Sequence, residues 1–393
     1  MDAIAWTLLC AGFGSLAFFS LGLVAVLRHT ARQPPPFDGP WPAVSLLKPL
    51  KGLEEELDRN LRSLYAQDYP GEREVVFATA DEGDPALAVA RAVAAEFPAI
   101  PTRFVRSDPE WGLNPKLSNL AAAWDAAAHD LVLQSDANVR VRPDYLRRIV
   151  GELCAERASL LSSMVVGTGE RSAGAAMENL QLSAFIAPAT CFALRFFGVA
   201  VVIGKSMLLR KSELREVGGL AAFKDYLTED YLIGAAYQAA GKRVLLSSTT
   251  VENVNVQASV DRFIARHTRW LKMRAVIHVG AFCGDLMANP VTVGLLGAAL
   301  GGFRAPVAVA YALLVAGKLG LDALVMRLTR GRGMPLRYLL LAPVKDLLMG
   351  AIWPYSAVSR TVEWRGVRLR VGKMSALRRE GARAEKVPGT SRA

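Results

Sequence analysis

The chain is poor in the residues that build metal centres and covalent frameworks. Its 393 residues include only four cysteines and four histidines. Cys10, Cys154, Cys191 and Cys283 lie far apart and the histidines are scattered, so there is no zinc-type ligand spacing and no disulfide framework; free thiols fit a reducing compartment. Charge is also scarce, at 21% of residues against 52% apolar, a balance that points to a membrane protein. The net charge of +11 is not accompanied by a basic helix interleaved with base-stacking aromatics, which argues against nucleic acid as a partner. The start, Met1-Asp2, lacks the basic residues of a secretory signal, and no internal repeat or low-complexity segment is present.

What is abundant is apolar sequence in long runs. Ile4 to Leu27 carries no charge and is long enough to cross about 30 Å of hydrocarbon as a helix. Arg28, His29 and Arg32 follow it, which places residues 1–28 as a spanning helix with its N-terminus outside and the next domain in the cytosol. Residues 29–42 form a stiff linker, with five prolines between Gln33 and Pro42.

Residues 43–270 alternate short apolar runs with helix-like stretches, the signature of an α/β domain. Val44–Leu47, Glu74–Ala80, Leu131–Ser135, Val199–Leu209 and Arg243–Ser248 read as strands. Asp84-Pro85 and Asn114-Pro115 open helices, Asp230–Ala240 is a helix stopped by Gly241, and Ser259 caps another. Asp81 and Asp136 therefore follow strand ends, the edge at which open α/β sheets bind ligands. Beyond Trp270, residues 271–288 read as an interfacial helix. Residues 289–358 read as a membrane region: a hairpin of Pro290–Phe303 and Ala305–Met326, then a re-entrant or interfacial stretch Leu336–Val358. Lys318 and Asp322 sit i, i+4 in the hairpin's second arm, where they neutralise each other or snorkel. Residues 359–393 read as a basic cytosolic tail beside anionic lipid.

Several side chains invite chemistry. Asp136 with Asn138 suits a divalent cation, Mg2+ or Mn2+, that completes its shell with phosphate oxygens and water; a simple turn is the alternative. Asp81 suits a base or ribose contact. Lys116 stands at a helix N-terminus, as a phosphate ligand or a solvated lysine. Asp230 suits a general base, while Glu229 beside it needs only a capping role. One base is enough when the leaving group is a diphosphate, whereas a glycosidase needs a second, protonated carboxyl. Arg266 and Arg269, i and i+3 on one helix face with Trp270, match diphosphate oxygens and a sugar or acceptor wall, or else an interfacial basic helix.

These pieces occur in a recognisable order. Asn114-Pro115-Lys116-Leu117-Ser118-Asn119-Leu120, Ser135-Asp136-Ala137-Asn138-Val139-Arg140-Val141, Gly204-Lys205-Ser206-Met207, Gly218-Gly219-Leu220, Thr228-Glu229-Asp230-Tyr231, Arg266-His267-Thr268-Arg269-Trp270 and Val362-Glu363-Trp364-Arg365-Gly366 together resemble inverting glycosyltransferases of the GT-A (Rossmann-like) fold. More narrowly, they resemble the ceramide glucosyltransferase family. The resemblance runs from about Ser45 to Arg370. It implies a UDP-sugar donor, UDP-glucose for that family, and the primary hydroxyl of ceramide as acceptor. By the same resemblance Asp81 and Asp136 bind the nucleotide sugar and its metal, Asp230 is the base, and Arg266, Arg269 and Trp270 hold diphosphate and acceptor. A hopanoid-associated N-acetylglucosaminyltransferase resembles the pattern too. The sequence departs in having Asn138 where a second metal-binding aspartate would stand; arginine at 266 is within the family's range.

Overall fold

A computed structural model describes residues 2–364 and 367–379. Eight strands form one mixed sheet: β1 (Val44–Pro49), β2 (Arg73–Thr79), β3 (Thr102–Arg106), β4 (Leu131–Ser135), β5 (Val139–Arg140), β6 (Leu160–Thr168), β7 (Ser206–Arg210) and β8 (Val244–Val254). Their spatial order is β3-β2-β1-β4-β7-β6-β8-β5. The first four are parallel and joined by helices Leu57–Tyr65, Pro85–Ala95 and Pro115–Ala126; β7 is antiparallel to both β4 and β6. β1 and β4 are buried along their whole length, as expected for strands covered on both faces. Because the chain steps outward from β1 to β3 and then returns to β4, a crevice opens beyond the C-terminal ends of β1 and β4.

Local chemistry sets the helix starts. Asp84 accepts from the Ala86 N–H, Asn114 from Lys116 and Leu117, and Ser259 from Arg262, each just before its helix. The expected strand Val199–Leu209 is shorter: only Ser206–Arg210 pairs, and Val199–Lys205 is irregular chain returning from a helix. Helix Val260–Ile277 runs through position 270, so the expected boundary there falls inside one continuous helix, which breaks at His278 before a second helix, Val279–Met287.

The N-terminal helix (Asp2–Thr30), the bent pair Val279–Met287 and Pro290–Leu300, and helix Ala305–Arg330 are long and apolar enough to cross a membrane. Two runs are parallel: Arg304 pairs with Asp2, Gly317 faces Leu16, and Lys318 lies over the Phe19 ring at 4.3 Å. Pro290–Leu300 runs antiparallel between them, with Gly297 against Ala5 and Leu9. The hairpin turn thus lies beside Asp2, and the other ends of the long helices meet the eight-stranded sheet: Arg32 pairs with Glu156, and Arg330 with Glu170.

A third stretch of similar length, Ala173–Phe197, also has the composition of a span. It cannot cross, because β6 before it and β7 after it pair directly, Leu160 with Leu209 and Ser162 with Met207. Helix Ala342–Val358 likewise starts and ends at the layer of the sheet and its helices, since Arg332 bonds the Thr168 hydroxyl and Lys272 donates to the Thr361 carbonyl at 2.7 Å. The expected basic tail is in fact folded over residues 361–364 and 367–379. Strands β9 (Thr361–Trp364), β10 (Val367–Val371) and β11 (Leu377–Arg379) form an antiparallel sheet that buries Leu369, Val371 and Leu377 against Leu227. Residues 380–393 lie outside the described residues.

Candidate active site

Asp136 emerges from β4 into the crevice. Beneath it Lys48, on β1 and 1% exposed, donates to Ser135 Oγ at 3.0 Å and to the Asp136 carbonyl; burial pulls its pKa down to about 7. The Asp136 carboxylate meets two further ammonium groups, Lys116 and Lys205, each at 3.0 Å. Burial alone would raise its pKa, but these two charges outweigh it and hold the carboxyl well below the usual range. Asp136 is therefore an anion across the working pH range.

The Asn-Pro-Lys and Thr-Glu-Asp motifs are one construction. Asn114 caps its own helix with Oδ1, and its amide nitrogen donates to Tyr226 O and Glu229 Oε2, both at 2.8 Å. That fixes the start of helix Glu229–Ala239 beside Lys116, whose ammonium lies 3.4 Å from Glu229 and donates to Gly204 O at 2.8 Å. Burial, partly offset by Lys116, lifts the Glu229 pKa to about 7. Asp230 is half-buried: one oxygen accepts the Gly204 N–H at 2.6 Å and the other the Tyr231 N–H at 2.8 Å. A Cβ at position 204 would stand 2.8 Å from Lys116 Nζ and 2.9 Å from Asp230 Oδ2, so any larger residue there would push these two groups aside. From the other side Thr228 shares a hydrogen bond of 2.6 Å with Ser375, so the C-terminal sheet braces the motif.

Helix Val260–Ile277 closes the crevice with Arg266, Arg269 and Trp270. Arg266 stacks over the Trp270 ring at 4.9 Å and lies 3.2 Å from Glu178, on helix Ala173–Leu180. The other Glu178 oxygen meets His267 Nε2 at 2.9 Å, and both Glu178 and His267 are buried. Burial lowers the His267 pKa, so the ring is neutral and donates to the carboxylate.

The result is a cavity of about 640 Å³ that brings together Lys116, Asp136, Asn138, Asp230, Arg266, Arg269 and Trp270. This volume suits a nucleotide-sized ligand. Asp81 is not in its lining: it is exposed one strand away, and its carboxylate accepts the Gly83 N–H at 2.9 Å. Sequence reasoning missed Lys205, Lys48 and Glu178. A signal existed for Glu178, one of only two charges, with Arg195, in the apolar stretch 173–197. Glu363 of β9 also lines the cavity, a contribution from sequence read as tail.

The donor set for a cation can be tested on the same atoms. Lys205 Nζ lies 3.0 Å from Asp136 Oδ2 and 2.9 Å from Asn138 Oδ1, so the two expected ligand oxygens converge on one positive charge. Among the described residues no group of three or more His, Cys, Asp or Glu is arranged for a metal. The oxygens of Asp136 and Asn138 thus already carry ammonium partners; a cation there would have to displace Lys205 and take most of its shell from substrate oxygens and water.

Comparison with known proteins gives the lineage. Residues 7–377 match the model of glycosyl transferase family 21. Ceramide glucosyltransferase 1 of Caenorhabditis elegans is 28% identical over 260 residues, 66% of this chain and 55% of that protein. The ceramide glucosyltransferase of Komagataella phaffii is 26% identical over 329 residues, 69% of this chain and 64% of that one. The chain thus spans between half and two thirds of the length of these relatives. Among solved structures, a mannosyltransferase from Pyrobaculum calidifontis in complex with GDP-Man and Mn2+ aligns with a TM-score of 0.50 and 19% identity, covering 91% of this chain and 97% of that one, a likeness of fold. The mixed sheet with its covering helices is a GT-A-like fold, and the chain belongs to glycosyl transferase family 21.

Proposed function

We propose that this protein transfers glucose from UDP-glucose to the primary hydroxyl of ceramide, with inversion at the anomeric carbon. One observation carries the reading: Asp230 and Asp136 face one cavity whose third wall, the helix of Arg266, Arg269 and Trp270, continues toward the apolar helices. Asp230 takes the proton of the acceptor hydroxyl as the oxygen attacks C1 from the face opposite UDP. The C1–O bond to the β-phosphate breaks, and UDP leaves as an anion without needing a proton. Lys116, Lys205, Arg266 and Arg269 are preorganised to receive that charge, which costs no reorganisation during the step. A divalent cation, when bound at Asp136 and Asn138, supplies further neutralisation of the diphosphate. Asp81, at the exit of β2, takes the nucleoside end. Trp270 and Met273 line the side of the cavity on the helix that leads to the bilayer, so the acceptor's headgroup reaches C1 while its chains stay in lipid. The basic residues after the first helix favour a catalytic domain on the cytosolic side.

The test incubates the purified protein in detergent with ceramide and a panel of UDP-glucose, UDP-galactose and UDP-N-acetylglucosamine, and identifies products by mass spectrometry. Glucosylceramide is expected. Transfer only to a hopanoid, or only of another sugar, would replace the acceptor or donor in this reading. Asp230→Asn is expected to keep UDP-sugar affinity and to lose transfer by roughly a thousandfold or more, beyond a typical general-base contribution of about 10²–10⁴ at its low end. Undiminished turnover removes Asp230 from the mechanism.

A further inference from the structure

Helix Ala173–Phe197 has the length of a span but returns to the sheet it left. Its second half runs antiparallel along the N-terminal helix. Ala187 and Cys191 pack with Ala25 and Val26, Pro188 lies against Gly22, and Phe192 meets Phe18 edge-on at 5.4 Å. Each step moves toward the start of the N-terminal helix, away from the catalytic sheet. The last turn then exposes Phe196 (46%) and Phe197 (72%), with Val199 (39%) just beyond, while the Arg195 guanidinium lies 5.8 Å from the Phe196 ring centre. Gly198, at φ +68°, reverses the chain.

We infer that residues 192–199 are a re-entrant tip seated in the near leaflet of the lipid bilayer. Three observations favour lipid as the occupant. The tip lies beside the middle of a helix that itself faces lipid. Aromatic rings with one arginine are the composition of a membrane interface. The turn also satisfies part of its backbone from within the protein: Gly198 N donates to Leu194 O, Val199 N to Ala193 O, and Ala200 O accepts from Gln238. Irregular backbone is not tolerated facing the centre of the hydrocarbon, which keeps the tip in the near leaflet.

The returning chain gives the tip a consequence. It runs back along helix Glu229–Ala239, with Val202 against Gly234, and ends at Gly204 and Lys205, which hold Asp230 and Asp136. Contact with lipid thus steadies the segment that positions the carboxylates. The inference deepens the functional reading and rests on it only for the role of Asp230.

The test is a depth measurement on the full chain in phosphatidylcholine–phosphatidylglycerol vesicles. Cys10 and Cys283, the exposed thiols, are replaced by serine, and a nitroxide is attached through Phe197→Cys; protein without the added cysteine supplies the background. Leu21→Cys on the N-terminal helix and Ser212→Cys on the catalytic domain, both exposed, serve as lipid and water references. The Phe197 label is expected to relax faster with dissolved oxygen than with a water-soluble nickel chelate, like the Leu21 label. A nickel preference like that at Ser212 overturns the inference, and so does strong spin–spin broadening, which would put a second copy on the tip. The measurement uses neither sugar donor nor acceptor. A lipid-exposed tip in a protein without transferase activity would therefore sink the functional reading alone, and a wet tip in an active enzyme would sink this inference alone.

Discussion

The protein builds two clusters of lysines against aspartates, and they differ in what they leave undone. In the cleft, Asp136 binds Lys116 and Lys205 on the wall of a 640 Å³ cavity. Among the membrane helices, Lys318 binds Asp322 at 2.6 Å and Asp346 at 3.3 Å, while Lys345 binds Asp346 at 2.5 Å and donates to Gln181 at 2.9 Å. All four charges of the second cluster are at most 3% exposed and sum to zero. It is closed, and its work is to lock three elements in register. The first cluster faces open space with arginines opposite, so its lysines can exchange one anion for another. The same side chains thus make a strut in one place and a binding site in the other, and the difference lies in the space beside them: about 640 Å³ at Asp136 against about 10 Å³ at Asp346.

The sharpest way to break this contrast is to remove one charge from the closed cluster. Lys318→Met leaves Asp322 without its lysine beside the Lys345–Asp346 pair and is expected to cost about 3–5 kcal/mol, the typical loss for an orphaned buried charge, seen as a large fall in thermal midpoint in detergent. Lys318→Met with Asp322→Leu leaves only the Lys345–Asp346 pair and should recover most of that loss. A double variant as unstable as the single one would mean that the cluster does more than balance charge. The parallel change in the cleft, Lys205→Met, should barely move the midpoint. It should instead weaken UDP binding by roughly ten- to a hundredfold, the worth of one charge-assisted hydrogen bond, measured by calorimetry. Loss of folding without any change in UDP affinity would make the two clusters alike.

Glu178 sharpens the comparison, since it is a closed-type carboxylate that touches the open site. It holds Arg266 at 3.2 Å and His267 at 2.9 Å without lining the cavity. Glu178→Gln keeps the shape and removes the charge that aims Arg266. We expect the KM for the sugar donor to rise about tenfold while the KM for the acceptor stays constant, a loss of about 1.4 kcal/mol in diphosphate binding. An equal change in both constants would point to general disorder of the site.

The contrast also explains which parts were legible in the sequence. Asp84, Asn114 and Ser259 announce helices through bonds made within three residues, so their neighbours suffice to read them. Leu131–Ser135 is legible as a short buried strand, and with it the placement of Asp136. Lys318 and Asp322 are legible as a helical pair, but not their closure by Asp346 and Lys345 from another helix. Helix Ala173–Phe197 shows why apolar length misleads. Nothing local reveals that β6 and β7 will pair across it, nor that Glu178 will meet an arginine 88 positions later. The folded tail was hidden for the same reason: Ser375 finds its partner at Thr228. Motif order carried the site further than local structure did, because it encodes convergence that periodicity cannot.

The smallest expected effect tests whether the open cluster carries a cost that the closed one avoids. Glu229 is buried beside Lys116, and its carboxyl is pushed from the ordinary 4.5 up to about 7, chiefly by burial. Below pH 4.5 the group is neutral in folded and unfolded chains alike and contributes no penalty. As the pH rises past 4.5 the unfolded chain ionises first, so native stability falls until the folded group also ionises near 7; beyond that the penalty is constant. The sign is opposite for Asp136, whose depressed carboxyl lends stability above its ordinary pKa and loses it in acid, outside this window. The thermal midpoint of the wild type, measured against Glu229→Gln from pH 4.5 to 7.5, should therefore fall relative to the variant as pH increases. The amide can still accept the Asn114 bond that fixes the helix start, so the variant isolates the charge. A flat difference across the window would mean that Lys116 neutralises Glu229 fully, and that the catalytic cluster is as well balanced as the strut in the membrane.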